Sequence, residues 1–129
     1  MVGDEHYSES EVMGIKVIRQ SEFLPENYDV VVAIGDPAAR KKVVSSLPSN
    51  TTYTTIIHPS VVMSSWVQIG EGSIITAGTI LTCNIIIGKH AQLNLHTTIG
   101  HDCIIGDYFT TAPAANISGN CAFGNQVYI

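Results

Sequence analysis

From Ile57 to the end of the chain, every sixth residue is bulky and apolar: Ile57, Met63, Ile69, Ile75, Leu81, Ile87, Leu93, Ile99, Ile105, Thr111, Ile117, Phe123 and Ile129, with Thr111 the one exception. Four places after each stands a smaller or moderate residue: Val61, Val67, Ser73, Thr79, Ile85, Ala91, Thr97, Cys103, Phe109, Ala115, Cys121 and Val127. A helix repeats every 3.6 residues and a strand every two, so neither gives a sustained period of six. A hexad too short to bury its own apolar face must stack on copies of itself, which predicts a solenoid. Gly70, Gly88, Gly106 and Gly124 fall eighteen residues apart. Eighteen residues make three hexads, so each coil is expected to carry three short strands and three corners, with glycine supplying positive φ at the bends. Stacked strands lie about 4.8 Å apart, which gives four coils a height of about 19 Å. The two periodic series should point inward, leaving His90, His96 and His101 outside.

The first part of the chain follows a different pattern. Residues 1–27 are mostly polar, with Gly14 to Ile18 reading as a short strand and a helical turn opening near Ser21 or Glu22. Tyr28 to Ile34 is an unbroken run of strand length, as for a strand buried on both faces. Gly35 breaks it, Asp36 suits an N-cap, and Pro37 suits the first helical position. Ala38 to Leu47 reads as a helix with Arg40, Lys41 and Lys42 outside and Val43, Val44 and Leu47 inside; Tyr53 to Ile57 follows as another strand. Strand, turn, helix and strand form one βαβ unit of a parallel α/β sheet. The division expected is residues 1–55 for a partial α/β domain and 56–129 for a mainly β solenoid. A single βαβ unit cannot cover both faces of a sheet, so a preceding strand is expected to be missing; a solenoid needs a cap, so one is expected beyond Ile129.

Composition narrows the functional classes. A net charge of -5 argues against nucleic acid or an anionic membrane as partner. There is no apolar run of about 20 residues and no signal-peptide pattern at the start. The charged share of only 13% favours an oligomer. Cys83, Cys103 and Cys121 lack a zinc-type spacing, pointing to reduced thiols and a cytoplasmic chain. Cys103 and Cys121 belong to the small inward series, where they read as core fillers. Cys83 has no base beside it, and Trp66 reads as a packing residue against the preceding domain or another subunit.

His101 and Asp102 stand apart, because they put an imidazole and a carboxylate side by side within a hexad. A histidine with a pKa near 6.5 is a general base at neutral pH, and a nearby carboxylate raises its basicity. Sequence adjacency alone does not make the two side chains meet. His96 and His101 also have a spacing found in zinc-binding hexapeptide solenoids of the gamma carbonic anhydrase type, but Ser60 stands where a third ligand is needed. That metalloenzyme and a non-catalytic β-helix remain alternatives.

Three segments, Val30 to Asp36, Ile56-Ile-His-Pro-Ser60 and Ile99-Gly-His-Asp-Cys-Ile-Ile-Gly-Asp107, resemble the sialic acid O-acetyltransferase (NeuD-type) family, which includes nucleotide-sugar acetyltransferases of the PglD kind. The resemblance implies a Rossmann-like nucleotide-sugar domain followed by a left-handed parallel β-helix, assembled as a homotrimer with acetyl-CoA held between neighbouring β-helices. It implies His101 as general base and Asp102 as its acidic support. It places an oxyanion-holding backbone N–H near Gly119, and Asp4 and Gly35 beside the nucleotide-sugar. Thr110 occupies a place where many members have a histidine that contacts acetyl-CoA, and Ala114 replaces a common glycine. No metal is implied. The acceptor would be a UDP-linked amino-sugar or sialic acid, with N- and O-acetylation both open.

Overall fold

The computed structural model describes residues 1–129. From Ile56 onward the chain winds into a left-handed parallel β-helix of about four coils. Each of its three sheets is a ladder of very short strands. One consists of Ile56–Ile57, Ile74–Ile75 and Gln92–Leu93, continued by single bridges at Thr110 and Tyr128. The next holds Val62–Met63, Ile80–Leu81, Thr98–Ile99 and Asn116–Ile117, and the third Val67–Ile69, Ile85–Ile87, Ile104–Ile105 and Ala122–Phe123. Pairing is in register at eighteen residues, as in Ile57 with Ile75, Leu81 with Ile99 and Ile87 with Ile105.

Both periodic series point inward along the column. Ile75, Leu81, Ile87, Leu93, Ile99 and Ile105 are all buried, together with Ile85, Ala91, Cys103 and Phe109 from the smaller series. Ile57, Met63 and Ile129 are exposed, because a residue in a terminal coil has a neighbour on one side only. Thr111 is fully buried and hydrogen-bonded: its hydroxyl accepts from the Asn94 N–H at 2.8 Å and lies 2.7 Å from the Thr97 hydroxyl. The exception to the apolar series is thus a satisfied polar group.

The corners differ from the expectation. Gly70, Gly88, Gly106 and Gly124 do not have positive φ; the left-handed residues lie two places further on. They recur every six residues as Gly72, Gly78, Asn84, His90, His96, Asp102, Tyr108, Ala114, Asn120 and Gln126. Asn, Asp and His tolerate this conformation better than most side chains, and here they occupy half of these corners. The glycines eighteen apart answer a packing need instead. A Cβ on Gly70 would stand 2.6 Å from the Gly88 carbonyl carbon, and one on Gly88 would stand 2.7 Å from that of Gly106. Their coils approach too closely for a side chain.

In the first part, Glu11–Val12 and Ile15–Lys16 form a hairpin, and Asp36 caps the helix Pro37–Ser46 (α1) by accepting the Ala39 N–H at 2.7 Å. The Tyr28 to Ile34 run contributes only Asp29–Val30 to a ladder, paired parallel with Thr52–Tyr53. The expected Tyr53 to Ile57 strand is two strands in two different sheets: Thr52–Tyr53 belongs here and Ile56–Ile57 opens the β-helix. Phe23, Val32 and Leu47 form a small core, supported by Val30, Ile34, Val43, Val44 and Tyr53. Beside it lies an apolar cleft of about 730 Å³ lined by Ile18, Phe23, Val30, Val32 and Ile34, so the Tyr28 to Ile34 segment is not covered on every side.

Arg40 departs most from the sequence reading. It is fully buried, not on the outer face of α1. Its Nε donates to the His90 carbonyl at 2.8 Å, and its terminal nitrogens donate to the carbonyls of Ile34, Gly35, Tyr108 and Phe109 and to the Thr110 hydroxyl. A guanidinium supplies five N–H donors and loses water least unfavourably when all are used. His90 is likewise buried, stacked on Tyr108 and edge-on to Tyr53. Both residues seal α1 and its preceding turn against one corner of the β-helix. Trp66 is 72% exposed on the single chain and does not belong to this contact.

Candidate active site

A different corner brings His101 and Asp102 together. Asp102 has φ of 58°, so the chain turns sharply there and the side chains of consecutive residues converge instead of alternating. His101 Nδ1 lies 2.7 Å from Asp102 Oδ2. An ionised carboxylate can only accept, so Nδ1 carries the proton and Nε2 of the neutral ring keeps its lone pair. Both residues are exposed, and Nε2 bonds to no other group of the chain. Hydrogen bonds from Asn84 first and His101 second hold the Asp102 carboxyl below its ordinary value. The Asp therefore stays charged across the neutral range.

The coils below and above complete this corner. Asn84, one coil below, donates its side-chain amide to Asp102 Oδ1. One coil above, the Asn120 N–H donates to the His101 carbonyl at 2.8 Å. Gly119 stacks directly on the imidazole: a Cβ there would stand 2.8 Å from His101 Nε2. The Gly119 N–H donates to no acceptor in the chain. An imidazole nitrogen with a free lone pair and a free backbone N–H thus share one exposed corner. Asn84 was absent from the sequence reading, although it stands eighteen residues before Asp102, at the same corner in the coil below.

The other predicted residues lie elsewhere. Gly35 sits at the exposed turn before α1, where its carbonyl accepts from Arg40 at 3.1 Å and from the Thr110 hydroxyl at 3.0 Å. Thr110 is fully buried in that contact and bonded to Arg40 at 2.9 Å, so it offers no surface to a cofactor and acts as a strut between the two parts. Asp4 is exposed in a short turn, accepting the Ser21 N–H at 3.1 Å; hydrogen bonds from Ser21 keep its carboxyl below the ordinary value. His96 is exposed at its own corner, and His90, expected outside, is buried at another. Histidine, cysteine and acidic side chains do not converge anywhere as a three-ligand metal set. The three cysteines are free thiols, Cys103 buried and Cys83 exposed.

Comparison with known proteins fits this architecture. The PglD N-terminal domain family matches residues 1–47. The chain is 32% identical over 119 residues to GDP-perosamine N-acetyltransferase of Escherichia coli O157:H7, covering 92% of this chain and 53% of that protein. Among solved structures, WeeI from Acinetobacter baumannii AYE superposes with a TM-score of 0.88 at 32% identity, over 97% of this chain and 61% of that one. A histidine-to-asparagine variant of perosamine N-acetyltransferase from Caulobacter crescentus, in complex with CoA and GDP-perosamine, gives a TM-score of 0.83 at 28% identity, over 91% of this chain and 59% of that one. The chain thus spans little more than half the length of these relatives. Over both its α/β part and its β-helix, it resembles the PglD-like nucleotide-sugar acetyltransferases.

Proposed function

We propose that the protein is an acetyl-CoA-dependent N-acetyltransferase whose acceptor is the amine of a nucleotide-linked sugar. The observation that carries this reading is the His101–Asp102 pair, with Nε2 free and pressed against Gly119, in a chain that resembles amino-sugar N-acetyltransferases. His101 Nε2 takes a proton from the sugar amine as its nitrogen attacks the thioester carbonyl. The carbon–nitrogen bond forms, and the Gly119 N–H holds the charge that develops on the carbonyl oxygen. The carbon–sulfur bond then breaks, and the proton on His101 passes to the departing thiolate. Asp102 keeps Nδ1 protonated and stabilises the imidazolium while it exists. Amide and thiol are the only products, and no covalent enzyme intermediate is needed.

The similarity to proteins that handle GDP-perosamine favours a GDP-linked amino-sugar over the UDP-linked sugar or sialic acid expected from the sequence. The exposed turn at Gly35, fixed to the β-helix by Arg40 and Thr110, supports a nucleotide site on that side. Asp4 belongs to the same α/β part and is assigned to the same ligand. The outward face of the third sheet carries Ile86 and Ile104, which are 46% and 59% exposed. Apolar side chains left in water on a flat sheet support a homotrimer packed through its β-helices. The chemistry is tested by supplying acetyl-CoA with paired GDP- and UDP-linked sugars that carry either an amine or a hydroxyl at the same carbon. Thiol release with the amines alone, and an N-acetyl product by mass spectrometry, is the expected result. Equal turnover of amine and hydroxyl acceptors would overturn the assignment.

A further inference from the structure

The His101–Asp102 pair has a third member that neither sequence motif nor similarity assigns. Asn84 lies in the coil below, eighteen residues before Asp102, and both have left-handed backbones, with φ of 52° and 58°. Stacking of two such corners sets the side chains one above the other. The Asn84 amide nitrogen meets Asp102 Oδ1, while Asp102 Oδ2 faces His101 Nδ1 at 2.7 Å. The Asp102 carboxylate is exposed, and an exposed carboxylate with a single partner can rotate about its Cβ–Cγ bond or move to water. With an oxygen held on each side it cannot do so without breaking a hydrogen bond. Each oxygen has one protein partner, and the line Asn84–Asp102–His101 runs from one coil to the next.

We propose that Asn84 is a positioning residue. By fixing the Asp102 carboxylate it fixes the His101 ring as the tautomer with Nδ1 protonated and Nε2 free beside Gly119. Asn84 touches neither reacting group and acts only through Asp102. This rests on the reading of His101 as general base, but the contact itself can be tested without any substrate. The variant is Asn84→Gly, which removes the amide and still accepts the left-handed backbone; Asn84→Asp keeps the shape and reverses the donor. The first measurement is the ¹⁵N chemical shift of both His101 ring nitrogens in the resting protein. Wild type should show an Nδ1-protonated ring, and Asn84→Gly should show averaged tautomers. The second is steady-state kinetics with acetyl-CoA and the GDP-linked amino-sugar.

In Asn84→Gly, kcat should fall about 10-fold with KM for both substrates unchanged, since only the general base loses its orientation; the scale follows from the 10²–10⁴-fold worth of such a base. Asn84→Asp, with two carboxylates facing each other, should fall further. If the tautomer shifts and kcat does not, His101 is not the base and the functional reading fails. If the Nδ1-protonated tautomer persists in Asn84→Gly, the positioning role is overturned whatever the kinetics show. A fall in kcat with a commensurate rise in KM would likewise count against it, because that pattern reports damage to binding.

Discussion

At the scale of single residues, the corner around His101 tolerates little change, and Gly119 is its tightest point. A methyl group at Gly119 would come within 2.8 Å of Nε2. Gly119→Ala should therefore displace the imidazole and lower kcat by about 10²-fold, the order seen when an oxyanion donor or a base is misplaced. Thermal unfolding should change much less, since ring and methyl meet at an exposed corner. The sequence made His101 and Asp102 visible, because an imidazole beside a carboxylate is conspicuous in a repeat. It did not make their contact visible, since extended neighbours diverge and only the left-handed φ at Asp102 joins them. A signal for that was present: the every-sixth series Gly72, Gly78, Asn84, His90, His96 and Asp102 is rich in residues that tolerate positive φ. The glycines at 70, 88, 106 and 124 drew attention away from it, being periodic for a reason of packing.

At the scale of elements, several contacts join the α/β part to the β-helix, the Thr110–Gly35 and Gln92–Val32 hydrogen bonds among them, and two residues there carry predictions. The first is Arg40. Replacing it with Met would leave the carbonyls of Ile34, Gly35, His90, Tyr108 and Phe109 without their shared donor. A loss of several kcal/mol is expected in urea unfolding, since each buried carbonyl left unpaired costs about 1–3 kcal/mol. The second is His90, whose pKa is lowered first by burial and also by the Arg40 charge, against the opposing pull of Glu71 and Asp107. The folded state therefore prefers neutral His90. As pH falls below about 6.5 the unfolded chain takes up a proton that the folded chain resists, so His90 makes stability decline on the acid side and has no such effect above it. His90→Asn keeps a residue tolerant of the left-handed backbone, and its stability should depend less on pH between 6.5 and 5. An unchanged slope would mean that other groups set it. None of this was legible beforehand, because Arg40 lies in a run with Lys41 and Lys42 that reads as a solvated face.

At the scale of the whole molecule, the period of six carried the architecture: number of sheets, coil length, register and inward residues all follow from it. The α/β part was less legible, because its apolar run from Tyr28 to Ile34 joins a ladder over two residues only. Position in the column also predicts tolerance. Gly88→Ala, in the middle, should cost about 1–3 kcal/mol or more, as for an overpacked core, because its Cβ would meet the Gly106 backbone at 2.7 Å. The proposed trimer makes the apolar face of the third sheet an interface, so Ile104→Lys should lower the mass seen in analytical ultracentrifugation from three chains to one. The proposed acetyl transfer depends on His101. Acetyl-CoA binding by calorimetry and acetyl transfer to the GDP-linked amino-sugar, measured on the same preparations of wild type and His101→Asn, test it most directly. The variant should bind acetyl-CoA with unchanged affinity and lose about 10²–10⁴-fold in kcat; turnover at the wild-type rate would contradict the assignment of His101 as the base.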